Sequence, residues 1–218
     1  MSVHGVWVVG AISDADSRDL IARFSDVVPQ HLQPAVSDPD DYAESLSWWE
    51  NGGDTEVFFE EVPGRTWRQP TDAADRFADL AHLAHPETSR TEELWDVLLN
   101  LLDGTGPDHL FTSAARKASP AAALYYALGA VTTRPLPGRF GTFLLTNGDL
   151  TTYASAIDQA LDLSGARRDQ VLQRISTWMR EMGDAPEFDA ASLVDGPLHV
   201  MRQAVASGQG LAAFTRWY

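Results

Sequence analysis

His82 and His85 stand three residues apart in HLAH, with Asp79 one turn earlier in a stretch that reads as helix. Two imidazoles and a carboxylate at that spacing could begin a metal site. A structural site needs a fourth ligand, and its ligands need partners of their own. No His-Glu-x-x-His pattern completes this one. Histidines near a helix C-terminus are also favoured by the helix dipole. The pair therefore reads as structural, with no metal and no cofactor expected. Asp108 and His109 would suit acid–base work, but adjacency in sequence does not bring side chains together. GTGPDH at 104–109 follows a helix rather than a strand, so it reads as a turn and not as a phosphate cradle. Arg134, Arg139, Arg167 and Arg168 could fork around a carboxylate or phosphate; the plainer reading pairs them with the chain's own acids. Nucleophile elbows, Walker loops and dinucleotide fingerprints are all missing. There is no cysteine, which excludes thiol nucleophiles, thiolate zinc sites and disulfides. What remains for catalysis is a pocket of dispersed residues such as His4, Trp7, Arg139 and Tyr153. It would serve a small enzyme or a small-molecule accessory protein of a bacterial biosynthetic pathway.

A different chemistry is concentrated in SWWENGGDTEVFFEE, residues 47–61. Trp48, Trp49, Phe58 and Phe59 alternate there with Asp54, Glu56, Glu60 and Glu61. Neighbouring residues on a helix or strand point to different sides, so both members of each aromatic pair cannot face one core. Aromatics at the surface act as anchors in protein interfaces, and acids around them steer a basic partner. The bland alternative is a local core beneath a long insertion.

Charge agrees with the first reading. The net charge is −15, and residues 1–110 carry −16 of it against +1 for the remainder. Phosphate backbones must be met by lysine and arginine, which argues against nucleic acid. A basic protein partner suits such a face, although solubility alone would also account for it. The first residues lack a basic n-region, and no apolar run is long enough to span a bilayer, so the expected location is cytoplasmic with no membrane partner.

The elements that would position these residues follow from pattern. VHGVWVVGAI, 3–12, is β-branched and apolar and reads as a buried strand. Ser13 with Asp16 three residues later caps a first helix. Prolines 29, 34 and 39 make 28–43 irregular. Residues 44–49 read as a short helix, EVFFEEV as a short strand or helix, and PGRTWRQP as a break. Thr71 caps a helix that turns Phe77, Leu80, Ala81 and Ala84 inward. Thr91 caps the next, with Leu94, Trp95, Leu98, Leu101 and Leu102 inward. Ser119-Pro120 opens a helix that Gly129 ends. FGTFLLT, 140–146, reads as a strand, and Thr146 with Asp149 caps the following helix. Residues 165–182 are amphipathic. Gly196-Pro197 closes a variable region and opens a last helix, and LAAFTRWY reads as a final strand.

Four blocks in this order resemble the YfbM-like family of uncharacterised bacterial proteins. They are HGVWVVGAISDADSRDLI, ELWDVLLNLLDG, AAALYYALGA with RFGTFLLTNGDL, and MRQAVASGQGLAAF. The resemblance implies an α+β fold and carries over no catalytic residue. It lapses at Asn147, where the family has proline, and across 30–70, which reads as an insertion.

The expectation is one α+β domain over 1–218. A small mixed sheet uses both terminal strands and is packed by about six or seven helices. The leading function is an acidic binding protein for a basic protein partner, of which toxin neutralisation is one form. The expected anchor segment is Trp48 to Glu61.

Overall fold

The computed structural model describes residues 4–27, 39–84, 88–138, 140–182 and 185–218. Its centre is a four-stranded sheet. β1 (His4–Ile12) pairs antiparallel with β4 (Leu110–Arg116) on one side and with β6 (Gly210–Trp217) on the other. β5 (Phe143–Leu145) pairs with the outer side of β6, giving the order β4-β1-β6-β5. The strands at the two ends of the chain thus lie side by side, as their apolar patterns predicted. A separate hairpin joins β2 (Phe59–Glu61) to β3 (Arg68–Pro70). Every strand pairing among the described residues is antiparallel, where the sequence suggests a mixed sheet.

Alternation along β1 divides the interior in two. Trp7, Val9 and Ala11 face one way, joined by Leu211 and Ala213 of β6. Val8 and Ile12 face the other, with Ala212 and Phe214. The second face is covered by α1 (Asp14–Arg23) and α4 (Ser89–Leu102) through Leu20, Phe24, Leu94, Trp95, Leu98 and Leu102. Leu102 lies where a side chain at Gly10 would have to go, its Cδ2 only 2.3 Å from a Cβ built there. The first face is covered by α5 (Pro120–Leu128), α7 (Asn147–Leu161) and α9 (Ala190–Ala206). α8 (Gly165–Glu181) packs outside α5, and α2 (Pro39–Glu50), α3 (Asp72–Leu83) and the hairpin complete that outer layer. A short α6 (Ala130–Thr133) follows α5.

Local chemistry sets most helix starts. Ser13 accepts from the Asp16 N–H, Ser119 from Ala122, and Thr146 with Asp149 closes a full capping box. The cap of α4 is Thr88, one turn before the expected Thr91, whose N–H it accepts. Thr71 does occupy the N-cap position of α3, but its hydroxyl donates to the Val57 carbonyl instead. Leu101, expected inward, is exposed.

Two segments depart from the sequence reading. β4, LFTSAAR, has alanines with little strand preference, and only its pairing with β1 defines it. α9 runs straight through Gly196-Pro197. Proline removes the N–H that the Leu193 carbonyl would bond. The helix keeps its place because Gly196 lies against the Phe111 ring of β4, where a Cβ would come within 2.1 Å of that ring. Leu193, Val194, Pro197, Leu198 and Met201 bury the adjoining face.

The β6 strand should therefore be indispensable. Phe214 is buried and its ring stacks on Trp95 at 6.1 Å. Phe214→Ala is expected to cost about 3–5 kcal/mol, the range for emptying a packed aromatic site. Urea unfolding followed by circular dichroism checks it, and a loss below about 1 kcal/mol would contradict this core assignment.

Candidate partner-binding groove

The structure places the aromatic part of 47–61 inside the protein. Trp49, Phe58 and Phe59 are 3%, 4% and 9% exposed. Phe58 sits among Trp49, Phe77, Tyr126 and Trp178, with its centroid 4.8 Å from Tyr126. Phe59 meets Tyr126 and Trp178 from the hairpin. Both members of the Phe pair are buried because Phe58 precedes the strand and packs inward between α2, α3 and α5. Phe59 begins β2 and turns to α8. Trp48 is half-buried; its Nε1 donates to Glu56 Oε1 at 2.6 Å, and the Arg76 guanidinium lies over its ring. The expectation of a surface anchor in Trp49, Phe58 and Phe59 is thus overturned. Within the described part of the segment read as an insertion, Tyr42, Trp49, Phe58 and Phe59 belong to the main core.

The acids of this segment serve mixed ends. Asp54 Oδ2 accepts the Ala130 N–H at 3.0 Å and so holds the start of α6. Glu56 is held by Trp48. Glu60 and Glu61 are exposed on the hairpin, where Glu61 faces Arg68 across the strands at 3.7 Å.

The described members of the dispersed pocket, His4, Trp7 and Tyr153, are not brought together. Trp7 is buried and its Nε1 donates to the Gly141 carbonyl at 2.8 Å. It lines an apolar cleft of about 40 Å³ with Leu124, Phe143, Ile157 and Met201. His4 is exposed, and as it lies an odd number of residues from Trp7 on one strand it faces the opposite side. Tyr153 is half-buried on α7 and is not among the residues lining that cleft. Arg139 lies outside the described residues, as does His85 of the histidine pair; His82 is exposed on α3.

His109 and Asp108 point apart. Asp108 Oδ1 lies 3.1 Å from Nε2 of His199 on α9. His109 borders a cleft with Ser13, Asp16, Thr105 and Gln209, but its Nδ1 is sealed from solvent without a partner. Two of the four arginines are engaged: Arg168, near the start of α8, makes a two-bond pair with Asp195, and Arg134, after α6, donates to the Glu50 carbonyl.

One open feature lies at the sheet edge. Among the described residues β4 is paired on one side only, by β1. A groove of about 560 Å³ runs along its other side. It is lined by Thr112, Ser113 and Ala114 of β4, by 185–189, and by Ser192 in the first turn of α9. α9 is brought there by the Gly196–Phe111 contact, and its N-cap is Asp189, whose Oδ1 accepts the Ser192 N–H at 3.0 Å. Among the described residues the lining carries two carboxylates, Glu187 and Asp189, and no lysine or arginine.

The ladder decides which backbone groups face this groove. The Ala11 N–H donates to the His109 carbonyl, so the 11/109 pair is a bonded one. Antiparallel pairing alternates bonded and non-bonded pairs. Phe111, Ser113 and Ala115 therefore bond β1, while Thr112 and Ala114 direct both N–H and C=O outward. No backbone bond from another segment reaches those two residues among the described residues. Sequence reasoning missed this groove because it missed β4. The usable signal was the alternation of Phe111, Ser113 and Ala115 with the exposed Thr112, Ala114 and Arg116.

Comparison with known protein families, curated proteins and solved structures returns no match. The geometry alone must carry the functional reading.

The aromatic interior yields two checks. Phe58→Ala should cost about 3–5 kcal/mol, whereas Glu60→Gln should stay within about 0.5 kcal/mol. Chemical denaturation separates them, and a stable Phe58→Ala variant would put the ring back at the surface. Burial pushes the Tyr126 phenol above its ordinary value, opposed by the nearby Arg174 and Arg68. With the folded value raised, the unfolded chain ionises first, so stability is retained below about pH 10 and declines above it. Tyr126→Phe should flatten that alkaline decline in a pH series of melting temperatures.

Proposed function

We propose that this protein is an acidic binding protein that engages a basic protein partner at the groove beside β4. The observation that carries this reading is the open groove lined by Glu187 and Asp189 with no cation among the described residues of its walls. The net charge of −15 supports it, because a field of one sign raises the encounter rate of an oppositely charged partner. Toxin neutralisation is one biological form of such binding. The family resemblance adds an α+β frame to this reading and no activity.

The test uses a defined ligand. A fluorescein-labelled, end-capped octapeptide alternating lysine and valine is titrated with the protein, beside its glutamate–valine counterpart. The lysine peptide should bind and the glutamate peptide should not. Binding should weaken between low and physiological salt, since exposed charges are screened within about 8–10 Å there. Glu187→Gln should slow association more than it speeds dissociation. Equal affinity for both peptides, or no binding of the lysine peptide at low salt, would refute the reading.

A further inference from the structure

We infer, resting on that reading, that the partner enters as an extended segment. It adds to β4 as a further antiparallel strand and carries a basic side chain at every second position. The backbone supplies the first half of the argument. Thr112 and Ala114 each present an outward N–H and C=O at the groove. An antiparallel segment can exchange both bonds with each of them, and such pairs are slightly more stable per residue than parallel ones. Main-chain bonding of this kind holds the segment, and pockets on alternate sides select its side chains.

The walls supply the second half. The two faces of the sheet differ at β4. Ser113 shares its face with Phe111 and Ala115, towards α9. Thr112 and Ala114 share the other face and are exposed. Alternate side chains of an added strand would therefore meet the α9 side, where Glu187, Asp189 and Ser192 stand, and the others would meet solvent. The N-terminus of α9 carries partial positive charge, which opposes a cation there. Asp189 offsets it as the N-cap, and Glu187 is left to set the sign. At the far end Arg116 and Lys117 repel cations, so the basic positions fall opposite Ser113 and towards Phe111. A second copy of this chain fits poorly. Joining two β4 edges would bring the Glu187 and Asp189 pairs of two strongly acidic chains together.

The test is Ala114→Pro. An edge strand tolerates proline where the lost N–H faces outward, so the fold should persist, checked by circular dichroism melting. Binding of the lysine–valine octapeptide should fall at least about tenfold, because the central donor is gone and the ring blocks close approach. A second arm leaves the protein unchanged and N-methylates the peptide one residue at a time. Loss should alternate along the peptide, with sensitive positions two residues apart. This arm decides the matter alone if Ala114→Pro does not fold. If binding survives Ala114→Pro and N-methylation but weakens in Glu187→Gln, strand addition is wrong and the basic-partner reading stands. If the lysine peptide fails to bind the unaltered protein at low salt, that reading falls as well. Concentration-dependent dimerisation abolished by Ala114→Pro would assign the edge to self-pairing and overturn the proposal.

Discussion

β1 is the constraint on which the rest depends. It is bonded on both sides and buried on both faces, so each of its residues has a fixed duty. The reciprocal bonds between His4 and Tyr218 set its even residues towards β6, and the Ala11–His109 bond sets its odd residues towards β4. A one-residue slip would exchange its two hydrophobic faces and would be paid for in both cores at once. That rigidity reaches the edge. Once β1 holds its register, the outward residues of β4 can only be the even ones. The candidate groove is therefore a consequence of the centre of the sheet.

The second organising interaction is aromatic. Trp49, Phe58, Phe77, Tyr126 and Trp178 form a connected group between α2, α3, α5, α8 and the hairpin. Rings of this size bury much area, and their edge-to-face contacts add to it. Tying 39–70 to α5 and α8 in this way gives a small sheet a thick covering on one side. The acids at 54, 56, 60 and 61 mark where this group meets solvent. Asp54 is the exception, having a fixed place at the start of α6.

Much of this was legible because local and global preferences agree. Ser13, Ser119 and Thr146 announce helix starts that the structure keeps, and the two apolar ends of the chain announce adjacent strands. Failures came where tertiary contacts override local signals. Gly196-Pro197 looks like a break until Phe111 is seen to need the missing Cβ. Nine helices are present among the described residues against the six or seven expected; one of them, α6, has four residues and lies between Gly129 and Pro135. The segment 47–61 misled for a physical reason. The rule that adjacent residues face apart assumes one regular element, and Phe58 and Phe59 straddle the start of one.

The two edges of the sheet are treated differently, and the difference is informative. β5 is a three-residue edge, too short to template a long added strand. β4 runs for seven residues, and its charged side chains are confined to its end at Arg116. Long exposed edges are normally blunted by inward charges, prolines or bulges, because they invite pairing with any extended chain. In the proposed reading the protection is electrostatic and lies beside the strand, in Glu187 and Asp189. Carboxylates at that place would repel acidic segments, including copies of this chain, and admit cationic ones. An edge guarded in that way excludes by charge rather than by shape, which leaves its backbone groups available to a segment of the right sign.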